Sequence, residues 1–185
     1  MKKLLTLLTF IICIVFSVSG AFANNIKFAQ ITDVHLTVQS EFTQKILTAA
    51  VNDINKQQGI SFVVFTGDNI NNPTQDNLRR FISIVKRLKV PYYIVLGNHD
   101  VYKQQQMSKI QYFEILREGN PFKRQRTPNY KFKKNGFIFL TVDGAKEIIP
   151  GPTGFYKKDT QSWLDKILTK NKKKSVIIFQ HFPVE

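Results

Sequence analysis

Between Ile26 and Leu96 the apolar residues change spacing four times, and that alternation narrows the folds open to the chain. Residues 26–32, 61–66 and 92–96 are short β-branched and aromatic runs, which read as buried strands. Between the first two runs, Phe42, Ile46, Leu47, Ala50, Val51 and Ile54 recur at helical spacing. Between the second and third, Leu78, Phe81, Ile82, Val85 and Leu88 do the same. Strand, helix, strand, helix, strand predicts parallel strands joined by right-handed crossovers. In such a sheet, ligands are met at the carboxyl ends of the strands. Each of the three runs ends there in polar residues: Asp33-Val34-His35, Gly67-Asp68-Asn69 and Gly97-Asn98-His99-Asp100.

No packing argument calls for a glycine, an amide, an imidazole and a carboxylate straight after an apolar strand. A metal site does, because amide oxygen, imidazole nitrogen and carboxylate are ligands that divalent metals take. In an extended segment residues two apart share a face, so Asp33 and His35 are expected side by side, with Val34 turned away. Gly67 lets the backbone bend or approach an ion, and Asp68 supplies oxygen.

The second half changes character. Residues 104–116 read as a helix with Met107, Ile110, Phe113 and Leu116 on one side. Tyr130-Lys131-Phe132-Lys133 alternates, Asn135-Gly136 follows, and residues 137–142 are apolar. Asn-Gly between two strand-like runs predicts a hairpin, so antiparallel strands of a second sheet are expected here. A helix over 162–168 is expected, capped by Asp159 or Thr160. Residues 175–179 read as a last buried strand, followed by Gln180-His181-Phe182-Pro183.

Each of the three histidines, His35, His99 and His181, therefore stands just past an apolar strand. Histidines kept for packing would show no such regularity. Four strand ends deliver Asp33 and His35, then Asp68, then Asn98, His99 and Asp100, then His181. These are too many ligands for one tetrahedral ion, and a two-metal site sharing a carboxylate is the simplest reading.

Asp-x-His, Gly-Asp, Gly-Asn-His-Asp and His-x-Pro, in this order and each after a strand, resemble the calcineurin-like metallophosphoesterases. The resemblance covers about residues 27–183. It implies an α/β fold, a four-layer α/β/β/α sandwich of two mixed sheets. It implies two divalent metal ions (Mn, Fe or Zn), with Asp33 and His35 on the first, Asp68 bridging, and Asn98 and His181 on the second. It implies that His99 contacts the phosphate or protonates the leaving oxygen, with Asp100 orienting it. The implied reaction is hydrolysis of phosphomonoesters or phosphodiesters, with a metal-bridging hydroxide as nucleophile. Asn71 stands where the purple acid phosphatases of the superfamily carry a tyrosine, so no tyrosinate-bound iron is expected and the match is to the phosphodiesterase-like branch. The family's closing Gly-His-x-His motif is not found before Glu185. The domain, residues 24–185, is therefore expected to be C-terminally incomplete. The alternative reading is an inactive fragment, or an envelope module that binds polyanions.

Residues 1–23 read as a secretory signal peptide: Lys2 and Lys3, an apolar stretch over 4–18, then Ala21-Phe22-Ala23. The stretch is shorter than the roughly 20 residues that a membrane span needs. An exported protein, periplasmic or secreted and without a membrane span after cleavage, is expected. Cys13 is the only cysteine and leaves with the signal. That excludes a disulfide framework and any Cys-based metal or catalytic site from the exported chain. The net charge is +14, densest over 123–134 and 166–174. It reads as a solvated lysine-rich face, and no specific nucleic-acid partner is expected. The expected partner is a phosphoester substrate; the oligomeric state is left open. Arg124 and Arg126 are lesser candidates for a phosphorylated leaving group. Asn69 reads as a local cap or as a group that supports the ligands from behind rather than as a ligand; Tyr102 and Tyr156 read as surface or core packing residues, with approach to a substrate as the alternative.

Overall fold

The computed structural model describes residues 25–105, 107–119, 122 and 125–183. The expected signal peptide, and Lys123 and Arg124 of the basic loop, lie outside the described residues. The alternation of the first half becomes β1 (Lys27–Ile31), α1 (Glu41–Ile54), β2 (Ile60–Thr66), α2 (Gln75–Val85) and β3 (Tyr92–Val95). Both β1 and β3 pair with β2 in parallel, giving the order β1-β2-β3. Ser40 and Thr74 start the two helices; each side chain accepts a hydrogen bond from the backbone N–H three residues on.

Strand residues alternate between two environments, as a pleated strand requires. Val63, Phe65, Tyr92 and Ile94 pack with Leu47, Val51, Leu78 and Phe81 of the helices. Phe62, Val64, Tyr93 and Val95 face the second sheet. The apolar stripe of α1 is narrower than its sequence allows: Leu47 and Val51 are buried, whereas Phe42 and Ile46 are 70% and 53% exposed.

The second sheet has the order β4 (Tyr130–Lys134), β5 (Phe137–Thr141) and β6 (Val176–Phe179). Asn135 (φ 46°) and Gly136 (φ 81°) make the hairpin turn between β4 and β5. Both are left-handed, as the two-residue turn that matches strand twist demands. β6 lies parallel to β5, because α4 (Lys158–Lys170) intervenes and carries the chain back. This sheet is therefore mixed, as the resemblance implied, with the antiparallel hairpin that Asn-Gly predicted as one half of it; the first sheet, expected to be mixed, is wholly parallel among the described residues. Aromatic rings fill the space between the sheets. Phe62 meets Phe139 at 4.9 Å between ring centroids, and Tyr93 stacks on Phe132 at 3.7 Å. Burial of each such side chain contributes on the order of 2–3 kcal/mol. Trp163, Leu164 and Ile167 of α4 cover Ile138 and Leu140 on the outer face. Helices, sheet, sheet and helix thus form the expected α/β/β/α layers.

Two helices start differently from expectation. α3 (Lys109–Gly119) begins after Ser108, whose Oγ accepts from the Gln111 N–H (3.2 Å) while Gln111 Oε1 accepts from the Ser108 N–H (2.8 Å). This reciprocal cap sets the register of the helix. Tyr112, Phe113, Ile115 and Leu116 are then buried, and Ile110 is 72% exposed. Met107 is buried ahead of the helix, bridged to Tyr102. At α4 the cap position is Lys157, without a side-chain bond; Thr160 is buried and accepts from Asn129 Nδ2 at 3.0 Å.

Among the described residues no strand pairs with the outer edge of β3. The side chain of Gln125 takes that place. Its Oε1 accepts from the Ile94 N–H and its Nε2 donates to the Ile94 carbonyl, each at 2.7 Å. Nε2 also reaches Thr141 Oγ1 of β5 at 3.3 Å, so one amide ties the two sheets together.

Candidate metal centre

β1 and β2 continue to exchange backbone hydrogen bonds past their ends. Asp33 N–H donates to the Gly67 carbonyl (3.1 Å), and His35 N–H to the Asp68 carbonyl (2.9 Å). The segment is not extended, as the two-residue spacing had suggested. Asp33 (φ 53°), His35 (φ 44°) and Asp68 (φ 50°) are all left-handed. That conformation costs a residue with a Cβ on the order of 1–3 kcal/mol. The side chains converge all the same, because the curled backbone turns them toward Asp68. His35 Nε2 lies 3.9 Å from Asp33 Oδ1 and 3.6 Å from Asp68 Oδ2.

Asp68 is at the centre of the group. Its Oδ2 faces His35, while its Oδ1 faces His181 Nε2 at 3.5 Å and accepts the His99 N–H at 3.0 Å. Burial pushes its pKa up, but the contacts to His181 and the His99 N–H outweigh burial, and the carboxyl titrates below its ordinary value. The same contact to Asp68 raises the His181 imidazole above its ordinary value, against burial.

The far nitrogens of two rings are fixed by carbonyls, which can only accept. His181 Nδ1 donates to Thr66 O at 2.9 Å, and His99 Nδ1 donates to Asn71 O at 2.7 Å. Each ring is thereby left with Nε2 as its free nitrogen. His35 Nδ1 is buried without a hydrogen-bond partner. Two glycines make the approach possible. A Cβ on Gly67 would stand 2.3 Å from His181 Nδ1, and one on Gly97 would stand 2.0 Å from Asp68 Oδ1.

The hydrogen bonds of Asp100 go to groups other than the His99 ring, which the resemblance had it orient. Its carboxylate is fully buried and accepts from Asn69 N (2.9 Å), Asn69 Nδ2 (2.9 Å), Ile70 N (3.2 Å) and Gly97 N (2.8 Å). It clamps the loop after β2 to the loop after β3. Burial pushes its pKa up to about 7 against the pull of the Gly97 N–H, and the charge on Asp68 adds to the rise. The group that holds the His99 ring is the Asn71 carbonyl, which no side-chain pattern could have announced. Asn69, expected as a cap or as a support behind the ligands, is buried between Asp100 and the Val95 carbonyl, in keeping with the second of these.

Two sets of three ligand atoms come within 4.8 Å of one another: His35, Asp68 and His99, and Asp33, Asp68 and His181. Asp68 belongs to both. The donor set fits divalent metals: oxygen and nitrogen without sulfur, a carboxylate with a separate oxygen for each side, and two of the three imidazoles oriented from behind. His99 thus stands in a metal-capable cluster, a place the resemblance did not give it. Asn98 is half-buried in the same turn and lines an adjoining cleft of about 230 Å³ with His99, Asn71, Asn72, Pro73, Tyr102, Gln105, Pro150 and Gly151. Tyr102 therefore borders the site, the lesser of the two readings open to it. Tyr156 donates to the Phe182 carbonyl at 3.1 Å and packs against the second sheet. Arg126 lines a different groove, with Glu114, Arg117 and Glu118. No helix among the described residues is long and apolar enough to cross a membrane.

Comparison with known proteins agrees with the geometry. A family model described as calcineurin-like phosphoesterase matches residues 26–185. A probable glycerophosphodiester phosphodiesterase of Arcobacter nitrofigilis is 29% identical over 129 residues, covering 65% of this chain and 41% of that protein. A probable cyclic nucleotide phosphodiesterase of Xenorhabdus bovienii is 25% identical over 166 residues, 84% of this chain and 62% of that protein. Another, of Rhodopseudomonas palustris, is 27% identical over 167 residues, 85% of this chain and 57% of that protein. The chain spans about half the length of these curated relatives.

Proposed function

The chain belongs to the calcineurin-like phosphoesterase family, and from that premise we propose that it is a metal-dependent hydrolase of phosphoesters, with phosphodiesters favoured. The observation that carries the reading is the Asp68 carboxylate, whose two oxygens face His35 Nε2 at 3.6 Å and His181 Nε2 at 3.5 Å. The relatives, each a probable phosphodiesterase, support the diester.

Asp33, His35, Asp68, Asn98 and His181 would hold two divalent cations of the Mn, Fe or Zn kind. When bound, such a pair supplies Lewis acidity at the phosphoryl oxygens and lowers the pKa of water. The chain supplies the rest. With Nδ1 on the Asn71 carbonyl, the His99 ring is fixed in orientation, and Nε2 is the atom that carries a proton to the leaving oxygen. Asp100 sets the spacing of the two strand ends that carry Asp68 and His99. Gly67 and Gly97 admit His181 and Asp68 to the distances that the centre needs. We further propose export, on the signal-like residues 1–23 alone.

The test is turnover of bis(p-nitrophenyl) phosphate and of p-nitrophenyl phosphate with added manganese. Asp68→Ala and His99→Ala are each expected to lower kcat/KM by about 100-fold or more. A parent protein that binds no metal, with both variants behaving like it, would sink the reading. Salt-sensitive binding of nucleic acid or anionic lipid that survives Asp68→Ala would favour a polyanion-binding module instead.

A further inference from the structure

Resting on that reading, we propose that Gly144, Gly154 and Tyr156 are positioning residues for one of the two candidate ions: they grip Phe182, and through it they seat the His181 imidazole. The two metal-capable clusters differ in where their ligands come from. His35, Asp68 and His99 all follow strands of the first sheet, whereas the cluster of Asp33, Asp68 and His181 needs a residue that follows β6 of the second. Its geometry therefore depends on how the segment after β6 is held against the first sheet. The bond from His181 Nδ1 to the Thr66 carbonyl sets which way the ring points. It does not set where the backbone that carries the ring stands.

The next residue supplies that. Phe182 is buried, and its ring stands edge-on to the His181 ring with centroids 5.0 Å apart. It lies against two glycines. A Cβ on Gly154 would stand 2.6 Å from Phe182 Cβ, and one on Gly144 would stand 2.9 Å from Phe182 Cδ2. A side chain at either place would displace the ring. Neither glycine has a left-handed backbone, so room for Phe182, and not backbone conformation, is what calls for glycine here. The Phe155 N–H donates to the Gly144 carbonyl at 2.8 Å, which closes the loop and brings both glycines to the one ring. Tyr156 Oη then donates to the Phe182 carbonyl at 3.1 Å and holds the backbone itself. Supports of this kind, which touch a ligand's carrier and not the ion, govern how well the ligand is placed.

The experiment is a double-mutant cycle on manganese affinity, read by titration calorimetry with the metal alone. Gly154→Ala and His181→Ala are each expected to weaken binding by about tenfold or more. The double variant is expected to bind manganese as His181→Ala does, because a socket that acts through His181 then has nothing left to position. A merely structural role would weaken binding by the same factor in both backgrounds. Tyr156→Phe runs the same cycle without a steric clash, since it removes one hydroxyl from a half-buried ring; it carries the test alone where Gly154→Ala does not fold. It is expected to weaken binding by about three- to tenfold in the parent and to have no effect in His181→Ala. Parent-like binding by the socket variants, or equal losses in both backgrounds, overturns this inference and leaves the functional reading standing. A parent protein that binds no manganese overturns both.

Discussion

Asp33 holds a left-handed backbone (φ 53°) at a position where half of its side chain is exposed. Packing does not require a Cβ there, so the strain is best explained by where the turn sends the carboxylate. Asp33→Gly should then separate stability from function. The metal-free variant is expected to be more stable than the parent by about 1 kcal/mol in urea denaturation. Its affinity for manganese is expected to fall by about tenfold or more. A variant that loses stability would show that the left-handed turn is not strained. The polar residues of the centre were legible because their donor types recur at strand ends. Their supports were not. The Asn71 carbonyl has no sequence signature, and the adjacency of His99 and Asp100 says nothing about which way each side chain turns.

Elements were legible where apolar spacing was regular and less so where a local bond set the boundary. Ser108-x-x-Gln111 is a capping pattern, yet a count of apolar residues ran past it to Met107 and Ile110. Asp159 in the first turn of α4 offered a plausible cap that the backbone does not use. Gln125 lies beside a basic loop without periodicity, and nothing in its neighbourhood marks it as the partner of a strand. Its replacement should nonetheless be costly, because Ile94 would keep a buried N–H and a buried carbonyl with no partner. Gln125→Ala is expected to lower stability by about 2–3 kcal/mol, seen as a lower urea midpoint with an unchanged slope. A loss below about 0.5 kcal/mol, the range of ordinary surface substitutions, would mean that the amide does not serve as an edge partner.

At the scale of the whole molecule, the layers follow from two sheets that each keep one face for aromatic rings and one for helices. The mixed second sheet was legible from the family resemblance, whereas the Asn-Gly hairpin by itself announced only its antiparallel half. Because the centre joins loops from both sheets, metal should stabilise the fold as a unit. At 100 times its dissociation constant, a bound ion adds about 2.7 kcal/mol, or roughly 5–10 °C in Tm for a chain of this size. The sign of the pH dependence follows from His181, whose pKa Asp68 raises above 6.5. In the metal-free protein, the raised His181 contributes stability that is fully present below that ordinary value and is lost as pH rises through the raised one, as long as Asp68, whose pKa is lowered, stays ionised. Metal needs the neutral ring, so protons compete with it at low pH. The increment in Tm from manganese is therefore expected to be larger at about pH 8 than at about pH 6, and absent in Asp68→Ala. An equal or smaller increment at the higher pH would contradict the coupling. The contact between His181 and the Thr66 carbonyl spans 115 residues of chain. The pairings that join β1 to β3, and with them His35, Asp68 and His99, span far less of the chain. Contacts as distant in sequence as the first form late. The candidate centre is therefore expected to be completed in two stages, closing only when the segment after β6 docks over Gly67.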